Sequence, residues 1–409
     1  MRRLTTPLVR CALALGLLLA PVACGTPEKS RVTIMVPWSG EEFQAFSAVV
    51  EAFEATHPGI KVDPEVTRAL NEQLDAAVAA DARPDLAVLP SVGAIAEYQK
   101  DGVLKKLDVD TSDYVQPFRG LGMTGGNGGS GDVYAIPVKA DVKSLVWYDV
   151  DATHDPPRSW AELPARHDRW CLGLESGPTS GWPGADWIAD LLLATYGRAA
   201  YTTWASGNAP WDKGPVHGAW TAWGDLVGSA LEGAARTGFK AAVKKMPACS
   251  LGHGSLAAMD FDAARVKRRG YLYVPPPGRT LQVSADFVGK FTGNESADEF
   301  IAYLAGAEAQ RIWVKQPGFA LSADRQVTVE DYANDVQGEV AAMLHTSANT
   351  LCFSAADAMD PDVSAAFYRA VLEYADGASE DALLRALDKV QDALGPARSP
   401  SAPPLCNPR

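Results

Sequence analysis

The fold class is decided by residues 31–57, which read RVTIMVPWSGEEFQAFSAVVEAFEATH. The first seven residues are mostly β-branched and apolar, which predicts a buried strand. From Glu41 to His57 the apolar residues recur every three or four positions, which predicts a helix with one face toward the core. The same alternation continues, with strands predicted at 61–66 and 85–90 and helices at 70–82 and 93–101. This order predicts an α/β fold with a parallel sheet and crossover helices.

The first 23 residues have the composition of an export signal. Three arginines precede an apolar segment at 12–20, which is too short to span a bilayer. Cys24 follows a small residue, as in bacterial lipoproteins, although Pro21 stands where such sites usually have Leu. We predict cleavage before Cys24, lipidation of that cysteine and a tether over 24–30. Cleavage of a plain signal peptide remains the alternative.

Charge and composition limit the partners. The net charge of −13 argues against binding of nucleic acid and against a basic membrane-binding patch. Beyond the signal, the sequence has no apolar run of membrane-spanning length, so we expect membrane contact only through the lipid anchor. The location implied is the outer face of the cell membrane or the periplasm. We expect a monomer without a cofactor. We expect no metal site, because the sequence has no CxxC motif and its six histidines are scattered.

The cysteines support export. With Cys11 in the signal and Cys24 lipidated, four cysteines remain, and an even count in an exported protein suggests two disulfides. The sequence alone allows three connectivities. Our prediction is the pairing of Cys171 with Cys249 and of Cys352 with Cys406.

The middle of the chain predicts a second lobe. Residues 133–148 form an extended run long enough to leave one lobe and reach another, and 271–277 form a second candidate crossing. Nine of the eleven tryptophans lie between 147 and 223, which marks a region with its own core. The glycine-rich segment 122–131 lacks the Lys-Ser/Thr and the following helix of a phosphate-binding loop. The remaining predictions are a helix over 295–315 capped by Asn294, helices at 362–375 and 380–394, and an irregular proline-rich tail.

Residues 171–190, CLGLESGPTSGWPGADWIAD, carry the strongest indication of a binding site. We predict a short strand at 171–174, a loop and then a helix from about Asp186. Trp182 falls in the predicted loop, where a large flat apolar surface suits the faces of a pyranose ring. Trp187 falls on the helix, where a core role is favoured.

Several blocks of this sequence resemble extracellular solute-binding proteins of ABC importers, in the α-glucoside branch of the sugar-binding group. The resemblance spans nearly the whole mature chain. Segments 134–148 and 171–190 carry its specific part. The more generic blocks are 32–53, 84–91, Cys249 with His253, and 356–359.

The resemblance implies a two-lobed periplasmic-binding-protein-like fold of type II, with a mixed, mainly parallel sheet and flanking helices in each lobe. It also implies a hinge of crossing strands and a sugar in the cleft. We expect an N-terminal lobe from 31–141 and 275–322, and a C-terminal lobe from 142–274 and 323–397, followed by a tail at 398–409. The implied function is to bind a di- or oligosaccharide and deliver it to the membrane permease.

In the cleft, we expect aromatic side chains to contact the faces of the sugar ring and polar groups to contact its hydroxyls. Each has a structural alternative: a helix-dipole charge for Glu41, hinge-surface charges for the two lysines, a loop brace for Glu175, a buried structural role for His253 and a turn cap for Asp357. The candidates are Trp38, Ser39, Glu41, Ser91, Lys139, Lys143, Glu175, Ser176, Trp182, Trp187, His253, Phe319 and Asp357.

Two other classes of function are weighed against sugar uptake. A secreted glycoside hydrolase needs two carboxylates flanking the scissile bond, and no acidic motif in the sequence indicates such a pair. A diverged lipoprotein that keeps the fold but serves as a sensor partner or surface protein is the second alternative. The imperfect lipidation signal and the small residues around His253 favour that alternative.

Overall fold

The computed structural model describes residues 29–89, 91–123, 131–166, 168–246, 248–394 and 404–408. The predicted signal, Cys24, most of the glycine-rich segment and part of the proline-rich tail lie outside these ranges. Among the described residues, none of the helices combines the length and apolarity needed to cross a membrane.

A six-stranded sheet forms the first lobe. Its strand order is β2-β1-β3-β8-β4, with β9 added on β8. The strands β1, β2 and β3 are parallel, as the alternation predicts, whereas β8 runs antiparallel to both β3 and β4. The strands of this sheet are β1 Ser30–Val36, β2 Ile60–Val66, β3 Leu86–Leu89, β4 Ala135–Val142, β8 Thr280–Lys290 and β9 Thr350–Phe353.

A three-stranded antiparallel sheet, ordered β6-β5-β7, lies in the second lobe, so the expectation of a mainly parallel sheet is wrong for this lobe. The chain leaves the first sheet after β4 and enters the second at β5, and it returns between β7 and β8, as the two extended runs predict. The crossings are hydrogen-bonded to each other, because the Lys143 amide donates to the Gln282 carbonyl at 2.9 Å. The strands are β5 Val146–Asp149, β6 Leu251–His253 and β7 Tyr271–Val274.

The helices of the described residues cover both sheets. The predicted helix over 295–315 is two helices, since the chain breaks at Gly306, which caps both. Asn294 caps the first of them, as predicted, by accepting from the Ser296 amide. The helices are α1 Glu41–Thr56, α2 Leu70–Ala79, α3 Val92–Lys100, α4 Phe118–Leu121, α5 Trp182–Ala205, α6 Gly214–Val227, α7 Phe239–Val243, α8 Leu256–Met259, α9 Ala263–Lys267, α10 Glu295–Ala305, α11 Ala307–Val314, α12 Asp335–His345, α13 Ala355–Ala358, α14 Pro361–Ala375 and α15 Glu380–Leu394.

The start of α5 differs from the sequence prediction. The helix begins at Trp182 and not near Asp186, because Pro183 lies in the first turn, where its missing N–H costs no helical hydrogen bond. Gly181 precedes it with φ of 105°, and a Cβ there would lie 2.1 Å from the Tyr368 carbonyl oxygen. The chain therefore turns sharply and closely against α14 just before Trp182. The predicted strand at 171–174 is wrong: the structure assigns no strand to these residues.

Both predicted disulfides are present, Cys171–Cys249 and Cys352–Cys406. The second ties the described part of the tail to β9. Because β9 continues the first sheet, residues 350–353 do not lie with the second sheet, where the predicted lobe boundaries put them. Five tryptophans of the 147–223 region are fully buried and form much of the second lobe's core: Trp147, Trp204, Trp211, Trp220 and Trp223.

Candidate functional site

A buried lysine in the first lobe is surrounded by carboxylates. Lys139 lies on β4, and its Nζ is 2.8 Å from Glu42 Oε1, 3.6 Å from Asp141 Oδ2 and 3.9 Å from Asp286 Oδ2. Burial works against the charge on Lys139, but these carboxylates outweigh it and raise the pKa of the ammonium. Trp38 Nε1 donates to Asp286 at 2.8 Å. These polar groups are already satisfied within the protein.

A second buried lysine lies at the crossing between the lobes. Lys143 Nζ is 2.9 Å from Asp186 Oδ2, on α5, and 3.3 Å from Asp357 Oδ2, on α13. The same ammonium lies 5.6 Å from the ring centroid of Trp182, within the range of a cation–π contact. Burial, opposed by Lys143, raises the pKa of the Asp186 carboxyl to about 7. Lys143 therefore connects the crossing, the start of α5 and the C-terminal helices.

A polar chain runs from the same crossing into the second lobe. The Ser144 hydroxyl donates to Asp190 Oδ1, and Asp190 Oδ2 is bonded to His253 Nε2 at 2.8 Å. The His253 ring stacks on Trp187, with centroids 4.7 Å apart and planes 6° apart. His253 is thus held by an internal carboxylate and an internal ring, which matches the structural alternative for it. The chain fixes the ring of Trp187 relative to the crossing.

An aromatic crevice, which we call the inner crevice, lies between α5, α7 and α8. Trp182 is half-buried and meets Phe239 edge to face, with centroids 5.1 Å apart. The free volume is about 20 Å³, room for roughly one water. The lining residues are Cys171, Leu172, Gly173, Trp182, Pro183, Trp187, Phe239, Val243, His253, Ala258 and Met259.

The loop that leads to Trp182 carries two predicted ligand contacts. Glu175 is exposed, and its Oε1 accepts from the Gly177 amide at 3.0 Å, so it braces its own loop. Ser176 is buried, and its hydroxyl has no hydrogen-bond partner among the described residues. An unsatisfied buried hydroxyl on the loop that leads to Trp182 is suited to a polar ligand atom.

The other predicted contacts are distributed around the first lobe. Trp38 is 2% exposed and packs against Phe46 and Trp313, which favours a core role. Phe319 is also buried. Ser39 and Glu41 are exposed after β1.

Ser91 and Asp357 meet at the boundary between the lobes. Ser91 caps α3 by accepting from the Ala94 amide, and it donates to the Asp357 carbonyl at 3.0 Å. The Asp357 side chain accepts from Tyr368 at 3.4 Å in addition to its contact with Lys143. Of the predicted contacts, the structure brings Lys143, Trp182 and Asp357 together.

Sequence reasoning missed the carboxylates that organise this site. Asp186 and Asp190 are 4% and 2% exposed. They are four residues apart on the apolar part of a helix. This spacing could have identified them from the sequence, because two acidic residues on a buried helix face need partners. Phe239 was missed as well.

A family model described as bacterial extracellular solute-binding protein matches residues 37–246. The alpha-glucosides-binding periplasmic protein AglE of Rhizobium meliloti is 29% identical, over 89% of this chain and 87% of that protein. The osmoprotective compounds-binding protein GgtB of Synechocystis sp. is 26% identical, over 90% of this chain and 94% of that protein.

Two solved structures share the fold. The bacterial solute receptor AcbH, described as exclusive for β-D-galactopyranose, superposes with a TM-score of 0.75 at 15% identity, over 90% of this chain and 98% of that one. The GacH receptor of Streptomyces glaucescens, solved unliganded and with acarbose, gives 0.68 at 16% identity, over 90% and 97%. The predicted two-lobed fold is confirmed.

Proposed function

We propose that this chain, which belongs to the bacterial extracellular solute-binding proteins, captures a di- or oligosaccharide of the α-glucoside type between its lobes. We propose that it then delivers this sugar to the permease subunits of an ABC importer. Its relatives are named as binding proteins for alpha-glucosides and for osmoprotective compounds. We propose capture without chemistry, so no glycoside turnover is expected.

The surroundings of Trp182 carry the sugar proposal. Its indole lies at the crossing between the lobes, beside the Lys143 ammonium and the carboxylates that Lys143 holds. An aromatic face next to charged hydrogen-bonding groups suits a pyranose, which has apolar C–H faces and a rim of hydroxyls. We propose that Trp182 stacks on the ring. Lys143, Asp357 and Ser176 are the proposed partners of the hydroxyls, with Glu175 contributing only if its loop rearranges.

Calorimetric titration with maltose, trehalose, sucrose and longer α-glucosides tests the proposal. Trp182→Ala is expected to weaken the binding of the best ligand about tenfold to hundredfold, since burial of such a side chain is worth about 1.5–3 kcal/mol. Tyr196→Ala is the control, because it removes an exposed aromatic ring from the same helix.

Three results would count against this reading. Absence of binding to any saccharide at millimolar concentration would remove the sugar assignment. Release of a cleaved glycoside would favour an enzyme. Unchanged affinity in Trp182→Ala, together with a lower melting temperature, would make Trp182 a core residue.

We also propose export and lipid anchoring through Cys24, with the protein as a monomer on the outer face of the cell membrane or in the periplasm. The support is the sequence of the first 24 residues, together with relatives that include a periplasmic protein. Cys24→Ala is expected to release the protein from the membrane fraction. Retention of this variant in the membrane would contradict lipidation at Cys24.

A further inference from the structure

A larger cavity lies beside the inner crevice, and we call it the outer cavity. Its volume is about 410 Å³. Glu41, at the start of α1, comes from the first lobe, and the other lining residues come from the second, so the cavity lies between the lobes. Those residues are Val243, Lys244, Met259, Asp260, Phe261, Asp262, Ala263 and Tyr271.

Carboxylates dominate the chemistry of the outer cavity. Lys244 Nζ is 2.8 Å from Asp260 Oδ2, and Asp260, with a smaller contribution from Glu41, raises the pKa of the Lys244 ammonium. Asp262 uses Oδ1 to cap α9 at the Arg265 amide, at 2.7 Å. The carboxylates of Glu41 and Asp262 thus keep acceptor capacity. A carboxylate accepts two hydroxyl hydrogen bonds at once, and these are stronger than bonds between neutral groups.

The aromatic rings of this cavity already pack against other groups of the protein. Phe261 stacks on Tyr271 with centroids 3.9 Å apart, and the Arg265 guanidinium lies 4.8 Å from the centroid of Tyr271. A ligand in the outer cavity would therefore be held through its hydroxyls and not by stacking. The inner crevice has the opposite character, because most of its lining is aromatic or apolar.

The two spaces adjoin. Val243 and Met259 line both of them, so only these two apolar side chains are shared by the walls. Met is unbranched and adapts its shape easily. A chain of sugar residues that begins on Trp182 would pass these side chains and reach Glu41 and Asp262.

We propose that the outer cavity is a second carbohydrate subsite, which binds the further residues of an oligosaccharide whose first ring stacks on Trp182. The inference rests on the proposed function and extends it, because it makes chain length the property that the protein selects. The subsite recognises hydroxyl groups through Glu41 and Asp262.

The test compares maltose, maltotriose and maltotetraose by calorimetry on the wild type and on two matched variants. Ala263→Trp fills the cavity from an exposed position at the first residue of α9, and Ala264→Trp adds the same bulk at the next exposed residue, outside the lining. We expect Ala263→Trp to weaken maltotetraose at least tenfold and to leave maltose within about twofold. Ala264→Trp is expected to match the wild type for all three sugars.

A double variant, Glu41→Gln with Asp262→Asn, tests the chemistry and keeps the helix cap, since Asn also caps. It is expected to weaken maltotetraose about tenfold and maltose little. Parallel losses for all three sugars, or no loss for the tetrasaccharide, would overturn the subsite. A wild type that binds maltose but binds longer chains no more tightly would also overturn the subsite. That result would leave the proposed function in place. A wild type that binds no saccharide would defeat the proposed function itself.

Discussion

Two buried lysines, four residues apart along the first crossing, have different structural roles. Lys139 is enclosed by three carboxylates, Glu42, Asp141 and Asp286, and all four groups belong to the first lobe. Lys143 contacts two carboxylates, Asp186 and Asp357, from two other segments of the chain, and it also lies near Trp182. The first lysine holds a lobe together, whereas the second connects the lobes to the candidate ligand platform.

The comparison shows that burial and charge do not by themselves identify a binding residue. Both ammonium groups are buried, and nearby carboxylates raise the pKa of both. What distinguishes Lys143 is the origin of its partners. Lys143 contacts helices outside the first sheet directly, so its surroundings change when the lobes move, whereas Lys139 reaches the second lobe only indirectly, through Glu42, whose Oε2 lies 3.9 Å from Lys240 Nζ.

The largest expected effect is on stability at Lys139. Lys139→Met removes the counter-charge that three carboxylates share, although Glu42 keeps Lys240 at 3.9 Å, and breaking a buried ion pair in this way costs about 3–5 kcal/mol. Chemical denaturation should show this loss. If the folded variant binds sugar more than about threefold more weakly than the wild type, the assignment of Lys139 to the first lobe alone is wrong.

Lys143→Met is expected to act mainly on binding. The remaining Asp186 can take up a proton, because burial raises its pKa to about 7, so the loss of stability should be smaller, about 1–3 kcal/mol. Sugar affinity should fall about tenfold, the loss of one charged hydrogen bond. Calorimetry and denaturation on the same sample separate the two quantities. An unchanged affinity would remove the distinction between the two lysines.

The smallest expected effect is a change in pH dependence at Asp186. Its pKa is about 7 in the folded protein, where burial outweighs the opposing charge of Lys143, against an ordinary value of 3.8. Between these values the folded state holds more protons than the unfolded state. The free energy of unfolding therefore falls as pH rises, by at most about 1.4 kcal/mol per pH unit for one proton.

Asp186→Asn is expected to flatten the stability curve between pH 5 and pH 7 by up to this amount. Urea denaturation across the range measures it. Asp262→Asn provides the control at an exposed position, and its slope should match that of the wild type. A slope that is the same in Asp186→Asn and in the wild type would show that Asp186 is already ionised throughout this range.

Local periodicity was enough to predict the parallel part of the first lobe, β1 to β3 with the helices between them, but not β8 and β9. The predicted β1 is shifted by one residue at both ends and the predicted α1 ends one residue late, because their apolar spacing leaves few alternatives. The start of α5 was not predictable in the same way. Pro183 and Gly184 look like helix breakers, but Gly184 packs closely under Trp223, where a Cβ would lie 2.9 Å from the ring. This contact is tertiary, so local sequence does not reveal it.

The candidate site was only partly predictable for the same reason. Trp182 was identified from its place in a predicted loop, and Lys143 through the resemblance of its segment to a family. Asp186 contacts Lys143, which is 43 residues away in sequence, and Asp190 contacts His253, which is 63 residues away. A local sequence pattern does not reveal contacts between residues so far apart. The division of the aromatic and acidic surfaces between two adjoining cavities depends on the packing of Val243 and Met259.

The small volume of the inner crevice has a kinetic consequence. A space with room for about one water does not admit a pyranose ring, so the proposed stacking on Trp182 requires Trp182 and Phe239 to separate first. The observed rate of capture should then level off as sugar concentration rises, at the rate at which the crevice opens. Release has to pass through the same opening, so the lifetime of the complex is set by a motion of the protein as well as by its contacts with the sugar.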